Sequence, residues 1–321
     1  MQALPAHKPR TKNIDLEALR SIGILFVLYP HSHNIFPWKV DYVSRLSPVF
    51  FTWTGVDLFF CVSGYIITRS VLFELRNCNG WGDFAKFAVP FWVRRAWRLW
   101  PTAWLWLTYL LAGSILFHAS GYFGGGGRNF LYQVYSMLHL ANLYGWYCTL
   151  SNSCGINTVY WSLSLEEQFY LLFPFLLFAI PRKWWFHAFA AIVLVQIPLN
   201  RGGSLLGFVR CDALAIGVII GLWQSRASYA AFQPNFLANK KLALLTAVIL
   251  TVFLGAFGCL RNNDDPIFDR DRRSAIGPDG VHMQLESRLL RSICTASWDR
   301  GLYWISIVYL VCRAHSGIYN G

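Results

Sequence analysis

Long apolar runs separated by short basic or polar links dominate the chain. Runs at 19–37, 48–68, 101–118, 160–180, 184–199, 204–223 and 241–260 each lie near the ~20 residues that a helix needs to cross hydrocarbon. A weaker run spans 129–146 and a short one spans 302–313. The pattern predicts an all-α fold, a polytopic transmembrane helix bundle of about 8–10 membrane segments. Residues 1–260 are expected to form the membrane domain, 261–300 a charged polar loop, and 301–321 a last span and the end of the chain. The loop is dense in charge, as in Asp269, Arg270, Asp271, Arg272 and Arg273. Neither a second soluble domain nor an internal repeat stands out.

Composition strengthens this reading. Of 321 residues 55% are hydrophobic, 17% aromatic and only 14% charged, whereas a soluble domain carries about a quarter charged residues. Lys8, Arg10 and Lys12 precede the first run, which contains histidines and no small-residue cleavage site. It is expected to be a retained span rather than a removable signal. A net charge of +12 invites a nucleic-acid reading, but the cations sit in the links between spans, where they set orientation. No nucleic-acid partner is expected. Eight cysteines are scattered without metal-type spacing, so no metal is expected. Cys148 and Cys154 share one polar loop and either pair, if that loop lies outside, or stand as free thiols.

Charge bias also orients the chain. Lys8, Arg10, Lys12 and Arg20 put the N-terminus in the cytoplasm, and Arg69, Arg76, Lys86, Arg94, Arg95 and Arg98 put the link after the second span there too. An integral, multi-pass protein of the plasma (inner) membrane is expected. Segment 129–146 holds Gln133, His139 and Asn142, after the run Gly124–Gly127. If it crosses fully, Arg182, Lys183, Lys240 and Lys241 fall outside; if it dips in and returns, all four fall inside. Positive-inside bias favours the dip, and irregular backbone is tolerated where protein or water surrounds it.

Charges inside spans carry the chemical information, because each costs at least ~2.5–3.5 kcal/mol near the bilayer centre. Arg20 and His31 are eleven residues apart, which returns a helix to within about 20° of the same face after a rise of about 16 Å. Pro30 removes one backbone bond just before His31. His33 lies on another face and serves as a control. A lone histidine near a span end is ordinarily interfacial; the aligned arginine argues for more. Asp57 falls within a run and needs a cation, a donor or a proton. Ser63 follows on the same helix, where a back-bond to a carbonyl is its ordinary role. Arg94, Arg95 and Arg98 cluster at the cytoplasmic entry of the third span. They are either anchors or a clamp for a phosphate-rich cytoplasmic ligand. Glu166 and Glu167 point about 100° apart on one helix. Arg210 and Asp212 fall in the middle of the run 204–223. An Arg–carboxylate pair between spans explains part of this set, though not all of it.

These residues stand in recognisable blocks. Asp15–Arg20 running on to His31 resembles the opening of the acyltransferase-3 family of membrane O-acyltransferases, with Arg20 and His31 in its Arg-x10-His spacing. Gly55–Ile67 (GVDLFFCVSGYII), Phe91–Pro101 (FWVRRAWRLWP), Trp161–Tyr170 (WSLSLEEQFY) and Arg210–Gly217 (RCDALAIG) resemble four further blocks in the right order. The resemblance covers about residues 13–222, and the charged C-terminal stretch departs from the family's usual further spans. The extracytoplasmic hydrolase-like domain of some relatives is not expected within these residues. The resemblance implies an acyl-CoA donor, acetyl-CoA above all, bound from the cytoplasm. It implies an acceptor hydroxyl on a carbohydrate or lipid-linked glycan. It further implies that His31 and Arg20 are essential and that Glu166 is the more important of the two glutamates; Asp57 is expected at the catalytic site with them. Arg94, Arg95 and Arg98 are then expected at the donor, and Arg210, Asp212 and Tyr170 at the acceptor.

Two chemistries fit that set. His31 either acts as general base on the acceptor hydroxyl, steadied by Glu166 or Asp57, or carries the acyl group covalently. A transporter or flippase using the same buried charges is the rival class, and a signalling protein with vestigial acyltransferase features is a third.

Overall fold

The computed structural model describes residues 13–32, 54–75, 78, 80–120, 123–151, 153–196, 205–226, 228–229 and parts of 241–253. His33, the stretch 254–300 and the run 302–313 lie outside the described residues. Among the described residues every regular element is a helix and no strand occurs. Nine α-helices are named here: α1 Ile14–His31, α2 Thr54–Leu75, α3 Trp81–Leu116, α4 Gly126–Met137, α5 Ala141–Leu150, α6 Tyr160–Ala179, α7 Trp185–Gln196, α8 Leu205–Phe208 and α9 Asp212–Trp223. Among the described residues α2 and α3 are the two helices long and apolar enough to cross a membrane by length and composition.

Local sequence explains where these helices begin. The Asn13 side chain accepts from the backbone N–H groups of Asp15, at 3.0 Å, and Leu16, capping α1. Asp15 and Glu17 in the first turn oppose the positive end of the helix dipole. The helix then runs unbroken through position 30 to His31, so Arg20 and His31 keep the helical relation that their spacing predicts.

Three elements differ from the apolar runs. The third helix begins at Trp81 rather than near 101, so Arg94, Arg95 and Arg98 lie inside it and not before it. Pro90 and Pro101 both sit within its 36 residues; proline punctuates sequence more sharply than it interrupted this helix. The run 129–146 divides into α4 and α5, joined through His139 in the left-handed region at φ 55°. These helices of 12 and 10 residues are about 18 and 15 Å long, each short of the ~30 Å hydrocarbon core. The run 204–223 also divides, into α8 and α9, which puts Arg210 and Asp212 at a helix break instead of mid-helix.

The centre of the fold is the pair α2–α9, which meet backbone to backbone. A Cβ on Gly217 would overlap the Cys61 carbonyl oxygen, and one on Gly64 the Leu214 carbonyl oxygen. Small residues at such contacts are how helices approach closely in lipid. Helix α1 packs on the other side of α2, where a Cβ on Gly23 would lie 3.0 Å from the Gly55 carbonyl oxygen. Helices α3 and α6 run antiparallel, pinned by Trp92 Nε1 to Tyr170 O at 3.1 Å and Tyr160 Oη to Ala103 O at 3.2 Å. Their outward faces carry exposed Trp97, Leu105, Trp106, Leu171 and Leu172. A soluble helix keeps that face polar. Cys148, in the last turn of α5, is joined in a disulfide to Cys154 beyond it.

The α2–α9 contact gives a direct test. Gly217→Ala is expected to lower the thermal stability of the purified protein by about 1–3 kcal/mol, the usual range for overpacking. An unchanged unfolding midpoint would show that the two helices separate without cost.

Candidate active site

Two polar clusters lie inside the helix packing. In the first, Arg210 Nη2 pairs with Asp57 Oδ1 at 3.0 Å. The arginine also lies 5.4 Å from the Trp161 ring centroid, a distance suited to cation–π attraction. Asp212, fully buried at the first position of α9, feels both Asp57 and Arg210. The helix break that presents Arg210 is held from α7, where Gln196 Oε1 accepts from Cys211 N at 2.9 Å. Two buried carboxylates thus share one guanidinium.

The second cluster joins α3 to α6. The Tyr170 hydroxyl donates to Glu166 Oε1, and both residues are buried. Arg95 lies over the Tyr170 ring, 4.3 Å from its centroid. Ser63 of α2 approaches the same hydroxyl without a well-aligned hydrogen bond. Glu167 points to α3 instead, where the Trp100 indole donates to its Oε2 at 3.3 Å. The two neighbouring glutamates therefore serve different partners, as helical geometry requires of adjacent positions. Trp161, five residues before Glu166 on α6, packs edge-on to Phe60 at 6.2 Å and lies against Arg210 of the first cluster.

The structure brings together six of the expected site residues in these two groups: Asp57, Arg210 and Asp212, and Arg95, Glu166 and Tyr170. Arg94 and Arg98 do not join them; both are exposed on the outer side of α3. Arg20 lies 5.8 Å from the Phe59 ring centroid and 3.6 Å from Glu17. His31 is half-buried at the end of α1. Spacing alone did not single out Trp161, Trp100 or the amide pair of Gln168 and Asn142. Gln168 Nε2 donates to Asn142 Oδ1 at 2.9 Å and to the His139 carbonyl at 2.7 Å. The available signal was polar residues in the weak run 129–146. Among the described residues no group of three or more His, Cys, Asp or Glu could hold a metal ion.

Among the described residues the fold is all-helical, with arginines laid against buried carboxylates and a tyrosine. Residues 13–284 match the acyltransferase domain that defines the acyltransferase-3 family, and the chain belongs to that family. The match continues well past the last recognisable block at Gly217. The chain is 28% identical over 166 residues to "Peptidoglycan O-acetyltransferase OatA" of Listeria monocytogenes, covering 50% of this chain and 23% of that protein. It is 31% identical over 150 residues to "Acyltransferase MdmB" of Streptomyces mycarofaciens, covering 45% of this chain and 34% of that one. The chain therefore matches about a quarter to a third of the length of these relatives. No solved structure matches it.

Proposed function

We propose that the chain transfers an acyl group, acetyl in the first instance, from acyl-CoA to a hydroxyl of a cell-surface or lipid-linked glycan. The observation that carries this reading is the basic motif of α3. Arg94 and Arg98 face outward while Arg95, on the same turn, reaches the buried Tyr170 ring beside Glu166. Such an arrangement can hold phosphates at the surface and extend charge to an interior reaction centre. The family membership and the names of the relatives support acyl transfer to a glycan.

The protein works as a polytopic bundle with a cytoplasmic N-terminus. Loop charges support this, and so does the Cys148–Cys154 disulfide, since such bonds persist on the oxidising side of a membrane. The α4–α5 hairpin then enters from outside and returns. Residues 1–260 form the catalytic membrane domain, followed by the charged loop and a last span.

In the reaction, His31 takes the proton of the acceptor hydroxyl as that oxygen attacks the thioester carbonyl. The carbon–sulfur bond breaks, the ester forms, and the CoA thiolate leaves with the proton that His31 carried. Arg20, about 16 Å from His31 on the same stripe of α1, holds the CoA end of the donor. Arg210, Asp212 and Tyr170 line the acceptor side, and Asp57 fixes Arg210.

Membranes containing the chain are expected to move radiolabelled acetyl from acetyl-CoA into the glycan fraction. Arg95→Ala is expected to raise the acetyl-CoA concentration for half-maximal transfer about tenfold or more, as for loss of a charged hydrogen bond. Label reaching no glycan would overturn the reading. An unchanged acetyl-CoA dependence in Arg95→Ala would remove that residue from the donor site.

A further inference from the structure

His139 is the one non-glycine residue with positive φ among the described residues, at 55°. Asparagine or glycine fits that conformation more readily than histidine, so turn geometry does not account for the imidazole. The side chain is directed inward, 5.0 Å from the Trp100 ring centroid. Both of its ring nitrogens are buried without a hydrogen-bond partner. The Trp100 indole N–H donates to Glu167 Oε2, while Glu167 Oε1 is buried and likewise unpartnered. Three strong hydrogen-bonding atoms thus flank one indole and satisfy nothing. Buried polar atoms of this kind are uncommon and call for a ligand or water.

The backbone around them is well held. Gln168 Nε2 donates to the His139 carbonyl at 2.7 Å, and the Tyr132 hydroxyl reaches the carbonyls of Ala141 and Thr158 at 3.3 and 3.1 Å. Asn157, 1% exposed, adds two more unpartnered amide atoms at the neighbouring position. This polar seam runs from the disulfide-bearing end of the hairpin towards the Arg95–Glu166 group.

We propose that His139, at the tip of the α4–α5 hairpin, forms with Glu167 a subsite that binds the hydroxyl groups of the carbohydrate acceptor. Imidazole offers one donor and one acceptor and a carboxylate accepts. Adjacent sugar hydroxyls, each both donor and acceptor, complement that set. This inference rests on the glycan-acylation reading above and names where its acceptor sits.

Thermal unfolding of the full chain, purified in detergent, tests it with two probes added separately: acetyl-CoA and a soluble N-acetylglucosamine oligosaccharide. The unmodified protein is expected to be stabilised by each. His139→Gly and His139→Asn both keep a residue at ease with positive φ. Each is expected to retain the acetyl-CoA response while needing at least about tenfold more oligosaccharide. His187→Ala, at an exposed position on α7, is expected to keep both responses. If His139→Gly and His139→Asn keep the full oligosaccharide response, the histidine is only a turn residue and the proposal fails. If they lose both responses, the role is structural and the proposal fails as well. An unmodified protein that responds to acetyl-CoA and not to the oligosaccharide also overturns it. Failure of the unmodified protein to respond to acetyl-CoA would instead count against the acyl-CoA reading.

Discussion

His31→Ala is expected to lower acetyl incorporation by about 10²–10⁴-fold, the range that a positioned general base supplies. His33→Ala is expected to leave it near the unmodified level. The distinction follows from helix geometry. Helix α1 is continuous from Ile14 to His31, so Arg20 and His31 share a stripe, about 16 Å apart along the axis. His33 lies outside the described residues, and in the sequence it does not meet the Arg-x10-His spacing that Arg20 and His31 meet. The measurement is transfer of labelled acetyl to the glycan fraction at matched protein level. Equal incorporation in both variants would exclude His31 as the base, and equal loss would point to the end of α1 as a structural requirement.

Arg210→Ala should instead damage the fold. Asp57 is 2% exposed and Asp212 is fully buried, and Arg210 is the cation that both face. Removing one partner of a buried ion pair costs about 3–5 kcal/mol, because the other charge loses the group that faced it. Purified Arg210→Ala protein is therefore expected to unfold at a distinctly lower temperature and to lose activity. Adding Asp57→Asn removes the stranded charge, so the double variant should regain much of the stability and none of the activity. If Arg210→Ala unfolds like the unmodified protein, the carboxylates are satisfied by protons or water and the pair is not structural.

The sequence was most informative where chemistry conflicts with environment. Arg20, Asp57, Glu166 and Arg210 stood out because a charge in an apolar run needs a reason, and two of them, Asp57 and Arg210, are partners. The reading of 129–146 as something other than a plain span matches its division into two short helices, for the polar positions His139 and Asn142 mark the joint. Helix ends were less legible. Pro101 reads as a start signal, yet α3 passes through it, because packing against α6 outweighs one missing backbone bond. Arg210 and Asp212 read as buried mid-helix, since nothing in an apolar run announces a break that is held by Gln196 from another helix. The separation of Arg95 from Arg94 and Arg98 depends on which face of α3 meets Tyr170, and that is a property of packing rather than of the motif.

The glycine contacts between α2 and α9 also bear on how the molecule moves. Gly64, Gly217 and Gly221 set the two backbones into one another, and helices notched in this way resist sliding. Any movement of the surrounding helices must therefore leave α2 and α9 as one body, together with the Asp57–Arg210 pair. The α4–α5 hairpin, by contrast, meets α6 and α8 through hydrogen bonds that each involve a side chain.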